Sequence, residues 1–389
     1  MNWLKHSRIE YLYLSKFKKI SVKTRMRKIP NLTALRFFLA LLVILYHISL
    51  FCEHRGFPFF DSAAFSNKGP EAVYLFFSLS GFLIIRQLYL EKINQQTILL
   101  FSFFLRRILR IWPLYYLILL FGFLYYRVLL PHFGFPYDHN YDLAEGILLS
   151  ITFFPNIFAT YKPGGIIEIL WSIGIEEQFY LFIAPLFFLL PSKKILPFLA
   201  LFTGIYFAIF FSESIHFLSL YSMFFFYFSF SGICSILLLN PIFSATLEKF
   251  RIFIFVIFII YLSTFLFNNN LSKPMYHLFS MILFGLTIGS LSTKPISFLE
   301  NKPLNYLGNI SYGIYIFHAI AMQFVGLLYL KLHIPLKVPP ILSILIFHLL
   351  VLTITIIVSH LSYQYYESYF LNLKQKFRVQ KNNEIIPQS

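Results

Sequence analysis

Arg36 and His47 stand eleven residues apart in an otherwise apolar run. At about 100° per residue, eleven residues overshoot three full helical turns by only about 20°. Both side chains therefore share one helix face, about 16 Å apart along the axis. An imidazole can take a proton near neutral pH. A lone membrane histidine also serves as a structural hydrogen-bonder, and the shared face with Arg36 is what points to a polar path. A second group is Arg106-Arg107-Ile108-Leu109-Arg110, whose i,i+3 and i,i+4 spacing gathers three guanidiniums on one turn. Such a cluster suits bidentate binding of phosphate and equally suits an ordinary basic flank. Arg110 lies one turn into the apolar run, which leans toward phosphate. The third group is Trp171-Ser172-Ile173-Gly174-Ile175-Glu176-Glu177. Adjacent carboxylates in the apolar phase of a helix are hard to explain structurally. Glu176 is expected at the depth of His47, where it could orient the imidazole and stabilise its protonated form.

Two weaker patterns accompany these. Ser78-Leu79-Ser80-Gly81 is a small-residue patch that fits close helix packing at least as well as substrate contact by Ser80. Ser311, Tyr315 and His318 are i, i+4 and i+7, one polar stripe that either lines a cavity or bonds between helices. With Trp171 they complete the candidate substrate-site residues. His348 and His360 have no partner in the sequence and read as structural. No metal-ligand spacing is apparent.

The elements that must position these groups follow from composition. Of 389 residues, 58% are hydrophobic and 12% charged, about half the charge of a soluble domain. Disorder, a disulfide-rich secreted scaffold and an ordinary soluble enzyme are excluded, and the surface must be solvated largely by lipid. The predicted fold class is an all-α polytopic membrane protein. About ten transmembrane helices are expected, near 32–52, 70–90, 105–130, 168–190, 195–211, 217–239, 252–267, 274–291, 304–330 and 339–363. Leu143 to Phe158 is apolar but short and carries Glu145, Pro155 and Asn156, so it reads as a re-entrant or interfacial helix.

The net charge of +16 would fit nucleic acid, but position explains it better. With 143–158 not spanning, 25 of the 32 Lys and Arg residues fall on one side; Arg55, Lys68, Arg127, Lys162, Lys273, Lys331 and Lys337 fall on the other. Both termini are then cytoplasmic, and no nucleic-acid partner is expected. The organisation reads as a basic amphipathic cytoplasmic segment at 1–30, a transmembrane domain at 31–363 and a basic cytoplasmic tail at 364–389. Trp3, Tyr11, Tyr13 and Phe17 among the first lysines suggest an anchor on anionic lipid rather than a signal peptide. Cys52 and Cys234 are placed near opposite membrane faces, too far apart for a disulfide.

Taken in order, these segments resemble the acyltransferase-3 family of integral-membrane acyltransferases. The resemblance runs from Pro30-Asn31-Leu32-Thr33-Ala34-Leu35-Arg36 and Tyr46-His47 through Leu75 to Ile84, Arg106 to Pro113, Trp171 to Tyr180 and Leu307 to His318. Asn31 stands where the family commonly has an acidic residue, and Ala34 where it often has glycine. The resemblance implies transfer of an acyl group, usually acetyl, from cytoplasmic acyl-CoA to a hydroxyl of an envelope polysaccharide or glycolipid such as O-antigen. It places the family's arginine–histidine pair on Arg36 and His47, its Arg-x-x-Arg pair on Arg107 and Arg110, and its glutamate motif on Glu176. His47 is then the general base, Glu176 its partner, and Arg36, Arg106, Arg107 and Arg110 hold the acetyl-CoA phosphates. Direct transfer and an acyl-histidine intermediate both remain open. No tightly bound cofactor is implied, the expected location is a bacterial inner membrane, and the chain ends too soon for the hydrolase-like domain some members carry. The competing class is a proton-coupled transporter or flippase of a polar envelope precursor. The absence of an internal repeat in the sequence and of paired broken helices argues against it.

Overall fold

The computed structural model describes residues 29–60, 64–135, 137, 140–375 and 377, and within these the chain is helical with no strand. The amphipathic segment expected at 1–30 therefore lies outside the described residues except for its last two positions. So does the end of the expected tail, from 378 onward. The principal helices are α1 (Leu32–His54), α2 (Gly69–Gln95), α3 (Leu100–Leu124), α4 (Leu143–Ile151), α5 (Trp171–Leu189), α6 (Ser192–Ser212) and α7 (Phe225–Leu237). They are followed by α8 (Pro241–Lys249), α9 (Arg251–Ser263), α10 (Lys273–Leu291), α11 (Lys302–Asn309), α12 (Ser311–Leu332), α13 (Pro340–Ser362) and α14 (Ser368–Gln375).

Among the described residues, eight helices are long and apolar enough to cross a membrane, or nine if the bent pair α7–α8 is one span. That is fewer than the about ten expected. The stretches expected at 217–239 and 252–267 instead form α7 and α9, of 13 residues each, about 20 Å against the roughly 30 Å of a hydrocarbon core. The chain turns by 109° between α7 and α8, where Asn240 caps the new helix through Ile242 N and Pro241 occupies its first turn. In 143–158, α4 has only nine residues before Pro155–Phe158 begins a separate turn. A helix of that length cannot span.

Side-chain contacts give the helix directions. α1 and α12 run parallel, since His47 meets His318 and Arg55 Nη2 donates to Gln323 Oε1 at 3.3 Å. α5 runs antiparallel to α3 and to α12, since Trp112 meets Glu177, Arg107 lies over Tyr180, and Ser172 meets Tyr315. α3 is further pinned where Pro113 interrupts its ladder. Tyr312 donates to the Ile111 carbonyl at 2.9 Å and Tyr366 to that of Pro113 at 3.0 Å. These two bonds lock the arginine turn of α3 to α12 and to the helical segment after α13.

Close backbone approach fixes α2. A Cβ on Gly81 would lie 2.2 Å from the Phe228 carbonyl oxygen in α7, so the small-residue patch serves packing at this crossing and sets the height of Ser80 one residue before it.

The start of α1 is held by Asn31, wholly buried and at φ 64, a left-handed conformation that Asn tolerates well. Its Nδ2 donates to the carbonyls of Leu291 at 2.7 Å and Lys294 at 2.8 Å, while its Oδ1 accepts from Ile296 N at 2.9 Å. An amide supplies both donors and acceptor; a carboxylate can only accept. Asn31→Asp should therefore destabilise the protein by about 2–4 kcal/mol, as two buried carbonyls lose their donors. Thermal unfolding of the purified protein in detergent measures it, and an unchanged midpoint would contradict the clamp.

Candidate active site

Viewed along the bundle, the polar groups fall into an arginine end and a histidine end. At the histidine end, His47 Nδ1 lies 3.0 Å from His318 Nε2, and the two rings stack with centroids 5.0 Å apart. His318 is fully buried whereas His47 is half-buried. Proton positions follow from the bonds. His318 Nδ1 is hydrogen-bonded to the Tyr315 carbonyl oxygen, which can only accept, so this nitrogen carries the proton. In a neutral ring His318 Nε2 is then an acceptor, and His47 Nδ1–H must donate to it. The Val43 carbonyl, one turn earlier on α1, is a second acceptor for the His47 ring, and with the proton on Nδ1 the lone pair of His47 is left on Nε2. Two imidazoles in series thus leave the outer one with a proton-accepting nitrogen.

The chain continues through Tyr315, whose hydroxyl donates to the Ile169 carbonyl at 2.8 Å and pairs with Ser172 Oγ at 2.7 Å. The expected stripe on α12 is therefore real for Tyr315 and His318. Ser311 is buried about 10 Å further toward the arginine end. Trp171 packs edge-on against Phe77, with centroids 5.9 Å apart.

Glu176 does not meet His47, contrary to the expected pairing. Tyr180 donates to its Oε2 at 2.7 Å, and Ser80 Oγ lies 3.4 Å from the same oxygen. Ser80 and Tyr180 are themselves hydrogen-bonded. The reason is helix register. Ser172 and Tyr315 are level, and α5 and α12 are antiparallel. Glu176 is four residues from Ser172 toward the arginine end, while His318 is three residues from Tyr315 the other way. At 1.5 Å per residue they are offset by about 10 Å along the bundle. Glu176 instead faces the charges of Arg36 and Arg107. Glu177 turns away from this path: its Oε2 accepts from Trp112 Nε1 at 3.1 Å.

At the arginine end the four expected arginines come together but differ in what they bind. Arg106 is buried, with Nη2 3.7 Å from Glu91 Oε2 and Nη1 donating to the Phe377 carbonyl at 2.8 Å. These contacts make it a structural tie. Arg107 Nη2 donates to Gln87 Oε1 at 3.0 Å, and its guanidinium lies between the rings of Phe103 and Tyr180. Arg36 and Arg110 form no hydrogen bond or ion pair with any described residue, yet each feels the other's charge. Both are half-buried. Glu176 lies near Arg36 and Glu367 near Arg110, so each charge is offset in part without a direct ion pair.

Sequence reasoning missed a further polar group. Lys68, only 2% exposed, lies 3.5 Å from Glu71 Oε1 and 4.9 Å from the centre of the Tyr261 ring. Tyr276 donates to the same carboxylate oxygen at 2.5 Å and accepts from Tyr261 at 2.8 Å. Glu71, Tyr74, Tyr276 and His277 line a cavity of about 310 Å³ near the start of α2. The i,i+3 spacing of Lys68 and Glu71 around Pro70, at a helix start, was the available signal.

The family model of the acyltransferase domain matches residues 29–360, and the chain belongs to the acyltransferase-3 family. It is similar to a putative acetyltransferase, ORF330, of Acidianus two-tailed virus, at 26% identity over 76% of this chain and 84% of that protein. It is also similar to the peptidoglycan O-acetyltransferase OatA of Listeria monocytogenes, at 25% identity over 77% of this chain and 50% of the relative. A putative O-acetyltransferase of Staphylococcus aureus matches at 25% identity over 92% of this chain and 59% of its own length. The chain thus spans little more than half of these two bacterial relatives. No solved structure matches. Acyltransferase is the class of activity that the family and these relatives support.

The hydrogen bonds of His318 assign it a positioning role that separates from folding. His318→Ala should lower acyl transfer about 10²-fold or more, because the His47 proton is no longer held on Nδ1. His318→Gln, whose amide oxygen can accept that proton, should recover part of the rate. Acyl-transfer rates of the two purified variants compare them, and equal loss in both would refute the role.

Proposed function

We propose that this chain is a membrane-embedded O-acyltransferase moving an acyl group, acetyl in the first instance, from cytoplasmic acyl-CoA to a hydroxyl of an envelope polysaccharide or glycolipid. The observation that carries the reading is the unshared Nε2 of His47 on the helix that also bears Arg36, about 16 Å away. A thioester whose phosphates rest among the arginines would reach the histidine end through its extended pantetheine arm. The names of the relatives support O-acetylation as the chemistry. The excess of Lys and Arg supports placing the arginine end, and with it both termini, in the cytoplasm of a bacterial inner membrane. With α7–α8 and α9 counted as shortened crossings, the topology is about ten spans and one non-spanning helix, α4.

In this mechanism Arg107, Arg110 and Arg36 hold the donor phosphates, while Arg106 braces the turn that carries them. Glu176, tied to Tyr180 and Ser80, partly offsets the charge of Arg36 and Arg107 and limits their mutual repulsion. His47 Nε2 takes the proton of the acceptor hydroxyl, and the oxygen adds to the thioester carbonyl carbon. Collapse of the tetrahedral adduct breaks the C–S bond, and the coenzyme A thiolate recovers the proton from the imidazolium. Throughout, His318 accepts from His47 Nδ1, so the ring keeps its orientation. A proton-coupled carrier would use the same charges but would leave acyl-CoA intact.

His47→Ala should abolish consumption of acetyl-CoA in the presence of acceptor while the protein still inserts in the membrane; an active variant would sink the reading. Arg110→Ala should raise KM for acetyl-CoA about tenfold with a smaller change in kcat, as expected for one lost charge-assisted contact to phosphate. Mass analysis of envelope glycans from a deletion strain would name the acyl group and acceptor together.

A further inference from the structure

The first part of the basic tail expected at 364–389 continues as helix to Gln375. α13 passes through a wide turn, Tyr363–Glu367, directly into α14, which packs against α3 beside the arginine turn. The Phe377 carbonyl accepts from Arg106, which ties the last described residue to that turn. Lys374, half-buried on α14, faces the charges of Arg110, Arg107, Arg36 and Arg106. It forms no hydrogen bond or ion pair with a described residue. The carboxylates near the cluster are engaged by neutral or local donors: Glu176 by Tyr180, Glu177 by Trp112 and Glu367 by Ser362. Within 4 Å of its ammonium or guanidinium nitrogens, each of Arg36, Arg107, Arg110 and Lys374 lacks a carboxylate among the described residues.

Four cations drawn from α1, α3 and α14 repel one another, and Glu176, Glu177 and Glu367 offset their charge only in part, from beyond ion-pair distance. A single phosphate needs no more than two or three such groups. Three converging helices suit a ligand bearing several phosphate charges spread over more than one helix's width.

We propose that Lys374 is a donor-binding residue, and that α14 forms the third wall of a polyanion site that takes a nucleotide carrying several phosphates. This rests on the acyl-CoA reading above. It assigns to the C-terminal helix a part in substrate binding that a membrane flank would not have. The charge arrangement gives the role an unusual sign. Removing Lys374 relieves repulsion in the empty protein and removes attraction in the loaded one, so stability should rise as affinity falls. A purely structural lysine would lower stability when lost.

The test uses the full chain in phosphatidylcholine nanodiscs, with coenzyme A titrated by calorimetry and the midpoint of thermal unfolding read with and without it. Lys374→Ala should weaken coenzyme A binding about tenfold and raise the unfolding midpoint of the ligand-free protein; Lys374→Arg should bind as the wild type does. Unchanged affinity in Lys374→Ala, or weakened affinity with a lowered ligand-free midpoint, would overturn the inference. Were the variant to fail to insert, Lys374→Gln and Lys374→Arg give the same comparison of charge removed against charge kept. A second set of nanodiscs contains phosphatidylglycerol and no coenzyme A. A stabilisation there that needs Lys374, with none from coenzyme A, would assign the site to a lipid headgroup and overturn the proposal. Wild-type protein that binds no coenzyme A at all would remove the acyl-CoA reading itself, an outcome visible before any variant is compared.

Discussion

The pairing of His47 with His318 depends on α1 and α12 lying parallel and in register, although 271 residues separate the two histidines. Once that register holds, the rest of the histidine end follows. The Tyr315 carbonyl fixes the His318 proton, His318 helps hold the His47 proton on Nδ1, and the lone pair of His47 is left on Nε2. In a bundle surrounded by lipid there is little water to stand in for a missing partner, so each bond in this series needs a protein group. Asn31 and Gly81 matter for the same reason. The first sets the height of α1 against the end of α10, and the second sets α2 against α7.

The two ends of the bundle obey opposite rules. At the histidine end His47, His318, Tyr315 and Ser172 bond to one another or to backbone carbonyls. At the arginine end, Arg106 alone of the clustered arginines has a carboxylate partner among the described residues, and the others retain both charge and accessible surface. A fold that satisfied every one of them internally would be more stable and would offer no grip on an anion. Energetic incompleteness at that end is coherent with a site built for a charged ligand.

The Asn31 clamp also accounts for a departure from the family pattern. At this position the side chain must donate twice and accept once within a buried turn. An acidic residue there, as the resemblance leads one to expect, would require different surroundings in the segment after α10. The exchange is confined to anchoring and lies five residues from Arg36, so it sets position without entering the chemistry.

Much of this was legible in the amino-acid order. Apolar length and the sparse charges determined a helical membrane protein, because lipid leaves few alternatives for the backbone. Helical periodicity determined that Arg36 and His47 share a face and that Arg107 and Arg110 share a turn, since both facts are local to one helix. The sequence also marked α4 as too short to span. It could not show that α7 and α9 would be only 13 residues long, because the apolar runs continue through a break at 221–224, where Ser222 is left-handed, and another at Thr264. Nor could it decide which partner His47 would take. The sequence reading paired it with Glu176, and only the antiparallel register of α5 and α12 sets that carboxylate about 10 Å away and leaves the His318 imidazole in reach. Lys374 looked like one more flanking charge for the same reason. Which side chains meet across helices depends on the relative height and direction of whole elements, and that is decided by packing rather than by any stretch of sequence read alone.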